Sequence, residues 1–201
     1  MKEMFLDYIA CIVAEPLGSI FVFLGMGAII ASSLLKGKNM KLILILAFLS
    51  NAFVAIGYFL QGQGINGAAS CLLGAVFSIV NFLFDNKNKP VPRPLVAFYG
   101  LAFIGVNIAV NFKNMVNFEG GISLVPLQVI LCVLAIAGCL AFVMCIGQKN
   151  GAKYRFWTVM NMLMWCTYDI VSGNFIVLVT HLIQMGFAVV GMIIHDRKKK
   201  E

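Results

Sequence analysis

The stretch Asn161-Met162-Leu163-Met164-Trp165-Cys166-Thr167-Tyr168-Asp169 reads as an apolar helix carrying polar and aromatic side chains at helical spacing. Asn161, Trp165 and Tyr168 fall at i, i+4 and i+7, so they project from one helical face. In a bilayer such a face turns away from lipid, because unpaired polar groups in hydrocarbon are costly. The stretch also has an echo. Asn51 and Tyr58 keep the same seven-residue separation 110 positions earlier.

Composition sets the class. Of 201 residues, 61% are hydrophobic and only 11% charged, with a mean hydropathy of +0.95. A soluble domain is nearer half apolar and a quarter charged, so an integral membrane protein forming one helical bundle is expected. No cleavable signal fits, since Glu3 and Asp7 interrupt the first eleven residues and no small-residue cleavage site closes a short apolar core. The six cysteines lie in or beside apolar runs without a C-x-x-C pair. They read as small packing residues, and no metal site, disulfide or cofactor is expected.

Seven apolar runs follow a short interfacial lead-in at 1–11. They lie at about 12–35, 42–60, 67–84, 94–112, 122–146, 154–171 and 175–194, each near the ~20 residues a bilayer requires. Loops fall at Lys36–Lys38, Gln61–Asn66, Asp85–Arg93 and Lys113–Gly121, and a basic tail at 197–201. With seven spans, all of the 15 Lys and Arg except Lys2 and Lys113 share one side. The positive-inside rule then predicts an outside N-terminus and a cytoplasmic C-terminus. This accounts for the net charge of +7 without nucleic acid, and Arg197–Lys200 reads as a topology anchor or an anionic-lipid contact.

The echo extends along the chain. At the same offset Pro16 meets Pro126, Gly37 meets Gly147 and Lys89 meets Lys199, along with several apolar matches between 12 and 89. Two three-helix units (12–89 and 122–196) are predicted, joined by a linker segment at 90–121 with the fourth span. An odd linker span gives both units one orientation, a parallel repeat with a cavity at its interface. Pro16 and Pro126, placed in the outer part of each unit's first helix, remove a backbone donor and are candidate hinges.

This 3+1+3 layout resembles the SWEET sugar transporters and the wider PQ-loop clan, and is similar to the bacterial nicotinamide riboside transporters. The residues that carry the resemblance are Pro16, Pro126-Leu127-Gln128 and Asn161-x-x-x-Trp165-x-x-Tyr168. The lysine-rich tail and the Trp165-x-x-Tyr168-Asp169-x-x-x-Gly173-Asn174 turn look closest to bacterial inner-membrane YgjV-type proteins. The resemblance implies an all-α polytopic fold in the bacterial inner membrane and a carrier working by alternating access. Asp169 stands where SWEETs have glycine and Ala55 where the first unit would have tryptophan, so sugar is not implied as the substrate.

Each candidate has a plainer reading. Asn51 and Asn161 line a cavity or hydrogen-bond between helices. Trp165 and Tyr168 form a stacking wall for a ring-bearing ligand or act as interfacial anchors. His181, with Gln184 three residues on, binds ligand or relays a proton, or is a neutral histidine bonded to a neighbouring helix. Asp169 is a gate candidate or a solvated loop acid near the outer surface. Asn81, opposite Gly191 in the repeat, is a second gate candidate.

No H-E-x-x-H, G-x-S-x-G, Walker A or paired carboxylate appears, so an enzyme is not expected. Two functional classes remain: a carrier or facilitator of a small polar or aromatic solute, and a non-transporting receptor, sensor or assembly factor on the same scaffold. The expected partners are membrane lipids and a small solute, not nucleic acid, with room for a homo-oligomer.

Overall fold

The computed structural model describes residues 15–35, 39–60, 65–117, 123–173 and 175–196. The lead-in at 1–11, the basic tail at 197–201, Lys36–Lys38, Gln61–Gly64 and the end of the Lys113–Gly121 stretch lie outside the described residues. Within them the protein is all-helical apart from one short ribbon. The helices are α1 (Pro16–Leu34), α2 (Met40–Leu60), α3 (Ile65–Asn86), α4 (Arg93–Met115), α5 (Pro126–Ile146), α6 (Gly151–Ser172) and α7 (Phe175–His195). Between α4 and α5, β1 (Val116–Asn117) pairs antiparallel with β2 (Ser123–Leu124), an element the hydropathy pattern does not announce.

Hydropathy decides where the helices form, and local chemistry decides their ends. Pro16 and Pro126 each occupy the first turn of a helix, where no N–H is needed and the fixed φ suits a helix start. The bend within a helix expected from these prolines is therefore not seen; each begins its helix. Asn150 caps α6 by accepting from the Ala152 N–H at 2.8 Å. At the other end Gly173, in the left-handed region at φ 75°, donates its N–H back to Asp169 and Ile170 and stops α6.

Six helices are long and apolar enough to cross a membrane: α1, α2, α3, α4, α5 and α7. The seventh predicted span, α6, has the length but not the composition, because Lys153, Arg155, Asn161 and Asp169 lie within its 22 residues. It is nonetheless deeply packed. Tyr154, Arg155, Thr158, Asn161, Met162, Cys166 and Asp169 are buried along it, between α5 and α7.

The packing has a simple order. α2 lies against α1 and α3, α6 lies against α5 and α7, α1 also touches α7, and α3 touches α5. α4 covers the seam between α3 and α5, where Tyr99 stacks on Phe77 with ring centroids 4.0 Å apart. The largest buried cluster joins Leu44, Phe77, Tyr99, Phe103, Cys139, Val143 and Ile146 from α2, α3, α4 and α5. A second, of Met40, Ile43, Cys145 and Tyr154, ties α2 to α5 and α6 at the end of the bundle that carries Lys41 and Lys149. This is called the basic end below, and its opposite the far end.

Candidate site along α6 and α7

Among the described residues two side-chain pairs join α6 to α7, one near each end: an Asp–His hydrogen bond and an Arg–Asp ion pair. At the far end Asp169, 2% exposed and three residues before the close of α6, places Oδ2 2.7 Å from Nδ1 of His181 on α7. Of the two readings of Asp169, gate candidate or solvated loop acid, the second does not hold: the Gly173 stop falls one turn later, which keeps the carboxylate buried inside the helix. The indole of Trp165 lies edge-on to Tyr168, centroids 5.5 Å apart, and 6.1 Å from the His181 ring. It fits because residue 138 on α5 is glycine: a Cβ there would stand 2.9 Å from the indole Nε1. Tyr58 of α2 completes the group, within electrostatic reach of Asp169, Tyr168 and Cys71.

Asn161 lies two turns deeper on the same arc of α6, 7% exposed, and its Oδ1 has no hydrogen-bond partner among the described residues. A buried unpaired amide oxygen is uncommon, because losing water without a replacement costs about 1–3 kcal/mol. Its repeat partner Asn51 is placed differently. Asn51 is half-buried, donates Nδ2 to its own helix at Ala47 O (2.8 Å), and sets its Oδ1 against Gly74 of α3. Gln184 is half-buried one turn beyond His181 on α7.

At the basic end the second pair is stronger. Arg155, 1% exposed, donates Nε to Asp196 Oδ2 at 2.8 Å and Nη2 to Asp196 Oδ1, a bidentate fork. Its Nη1 donates to the Leu35 carbonyl just past α1 at 2.8 Å. Around it, His195 Nε2 donates to Leu34 O at 2.8 Å, and the Tyr154 and Ser32 hydroxyls are 3.1 Å apart. Asn81 belongs here too. It donates to Ile146 O at 3.0 Å and accepts from Tyr99 OH at 3.3 Å, tying α3 to α4 and α5. Beside these ties lies an open cavity of about 1260 Å³, lined in part by Lys41, Asp85, Asn88, Lys149, Asn150 and Asp196.

The structure thus brings Trp165, Tyr168, Asp169 and His181 together and sets Asn161 below them. It leaves Asn51 on the α2–α3 contact and takes Asn81, Pro16 and Pro126 elsewhere. Two participants are not among the site candidates read from the sequence. Tyr58 enters that reading only as the repeat match of Tyr168. Arg155 reads as one more loop cation beside Lys153, yet it sits in the second turn of α6 and is buried.

No protein-family model, curated protein or solved structure matches this chain. Its class rests on the fold: among the described residues six helices are long and apolar enough to cross a membrane, which is consistent with a multi-pass helical membrane protein.

Proposed function

We propose that the protein is a carrier or facilitator of a small polar or aromatic solute, moved by rocking of α1–α3 against α5–α7, with α4 as linker. The observation that carries this reading is the unpaired Oδ1 of Asn161, buried below Trp165, Tyr168, Asp169 and His181. A buried acceptor without a partner is the kind of group a solute satisfies in passing. The cross-contacts support a repeat, since α1 with α7 and α5 with α3 are equivalent under the 110-residue offset. On this reading α6 also crosses the bilayer. It runs antiparallel between two apolar helices and bonds to α7 near both ends, with Arg155, Thr158, Asn161 and Asp169 buried against protein. The basic end is then cytoplasmic in a bacterial inner membrane, as the positive-inside rule and the YgjV-type resemblance suggest.

The test is a thermal-shift screen of the detergent-purified protein against sugars, nucleosides, vitamins and amino acids. A binding solute raises the melting temperature by mass action. The expected result is a stabilising solute whose effect disappears in Asn161→Ala and Trp165→Ala and which enters proteoliposomes. A silent screen, with both variants as stable as the parent, favours a non-transporting receptor or assembly factor.

A further inference from the structure

We infer that the Asp169–His181 pair is a proton-binding site and that solute movement is linked to a proton taken up there. The inference rests on the carrier reading for its second half only. The pair is enclosed, with side-chain exposures of 3% for Asp169 and 18% for His181. An ionised carboxylate only accepts, so at 2.7 Å Nδ1 carries the shared hydrogen and Nε2 is the position that gains or loses a proton. Without the extra proton the pair holds one net negative charge in a poorly solvated place; with it, an imidazolium faces a carboxylate and the net charge is zero. Holding one net charge there is costly, and a proton removes that cost.

The described groups facing the pair do not supply a competing cation. They are Tyr58 from α2 with Cys71 of α3 behind it, Cys166 and Tyr168 from α6, Cys132 of α5 beside Tyr168, and Gln184 along α7. The contrast along the same two helices is chemical. The Arg155–Asp196 pair is built on a guanidinium, which does not exchange its charge in water at physiological pH, whereas an imidazole is a group that can. His181 is also the wetter member, so water reaches Nε2 more readily than the carboxylate. In the cycle, water on one side delivers a proton to Nε2, the neutral pair and the solute cross in the rocking step, and Nε2 releases the proton to water on the other side.

Trp165 supplies the readout, because a protonated imidazole beside an indole quenches its emission. In the Trp157→Phe variant Trp165 is the remaining tryptophan. Its emission is expected to change sigmoidally as the pH is varied. The change should vanish in His181→Gln and be displaced in Asp169→Asn. Should Trp157→Phe fail to fold, the difference between wild type and Trp165→Phe reports the same ring. Emission that does not change with pH, or a transition that survives His181→Gln, overturns the proton site. Proteoliposomes loaded with a solute found by thermal shift then test the linkage. A one-proton coupling sustains a solute gradient of up to about tenfold per unit of imposed pH difference. Uptake that ignores the pH difference overturns the linkage and leaves the carrier reading standing. Absence of uptake for every binding solute overturns the carrier reading, and the fluorescence titration still decides the proton site.

Discussion

The two ends of α6 hold their neighbours by different means. At the basic end a buried guanidinium grips a carboxylate with two hydrogen bonds and a backbone carbonyl with a third, so α6, α7 and the end of α1 are bound as one block. Tyr154, Asn81 and His195 add ties to Ser32, Ile146 O and Leu34 O. At the far end, among the described residues, an Asp–His pair joins α6 to α7, with ring edges and a tyrosine from α2 beside it. The carbonyl-anchored guanidinium contacts thus lie at one end and the ring-lined Asp–His contact at the other.

The largest effect that would test this difference is expected at Arg155. Arg155→Met leaves Asp196 without its partner and the Leu35 carbonyl without a donor. Stability should fall by about 2–4 kcal/mol, the lower part of the range for a broken buried pair because Asp196 is partly exposed. A melting temperature in detergent close to that of the parent would dissolve the contrast between the ends. Next comes Gly191→Ala. A Cβ there falls inside contact distance of the Ser33 carbonyl and meets Cδ of Arg155, pushing α7 off α1 at a cost of about 1–3 kcal/mol. Gly186→Ala, five residues earlier on the same helix with open space around it, should leave the melting temperature unchanged.

Tyr154→Phe is milder. It removes one hydroxyl bonded to Ser32 while keeping the packing against Met40 and Ile43, and should cost about 0.5–1 kcal/mol. The smallest effect is expected at the other end of the comparison. Asn161→Leu removes an acceptor that has no partner, so thermal stability should hold or rise slightly even as solute binding is lost. A clear loss of stability in that variant would mean Asn161 is a structural bond and would remove the observation behind the proposed site.

Most of the helical layout is legible in the sequence. The seven apolar runs match the seven helices to within about four residues, because hydropathy over about 20 residues reports burial from water however the helices later pack. Part of the site is legible too. The i, i+4, i+7 spacing puts Asn161, Trp165 and Tyr168 on one arc of α6 whatever surrounds it. The partner of Asp169 is not legible, since whether its carboxylate meets His181 depends on the rotation of α6 and α7 about their axes. The repeat misleads at one point: Asn51 and Asn161 share a register, yet one bonds to its own helix and the other is left unpaired.

By itself, then, the sequence determined the apolar composition of a multi-pass helical membrane protein, where its helices lie to within about four residues, and which residues of α6 share a face. These follow from local quantities: apolar length, a proline at the first turn, a glycine able to take positive φ, and the 3.6-residue period. The tertiary structure decided that α6, the least apolar helix, is packed between α5 and α7, that Asp169 is buried rather than solvated, and that Arg155 is a tie between three segments rather than a loop cation. The reason is physical. A charged side chain is tolerated away from water only where another helix brings its counter-charge within hydrogen-bond distance, and that pairing joins residues 12 and 41 positions apart.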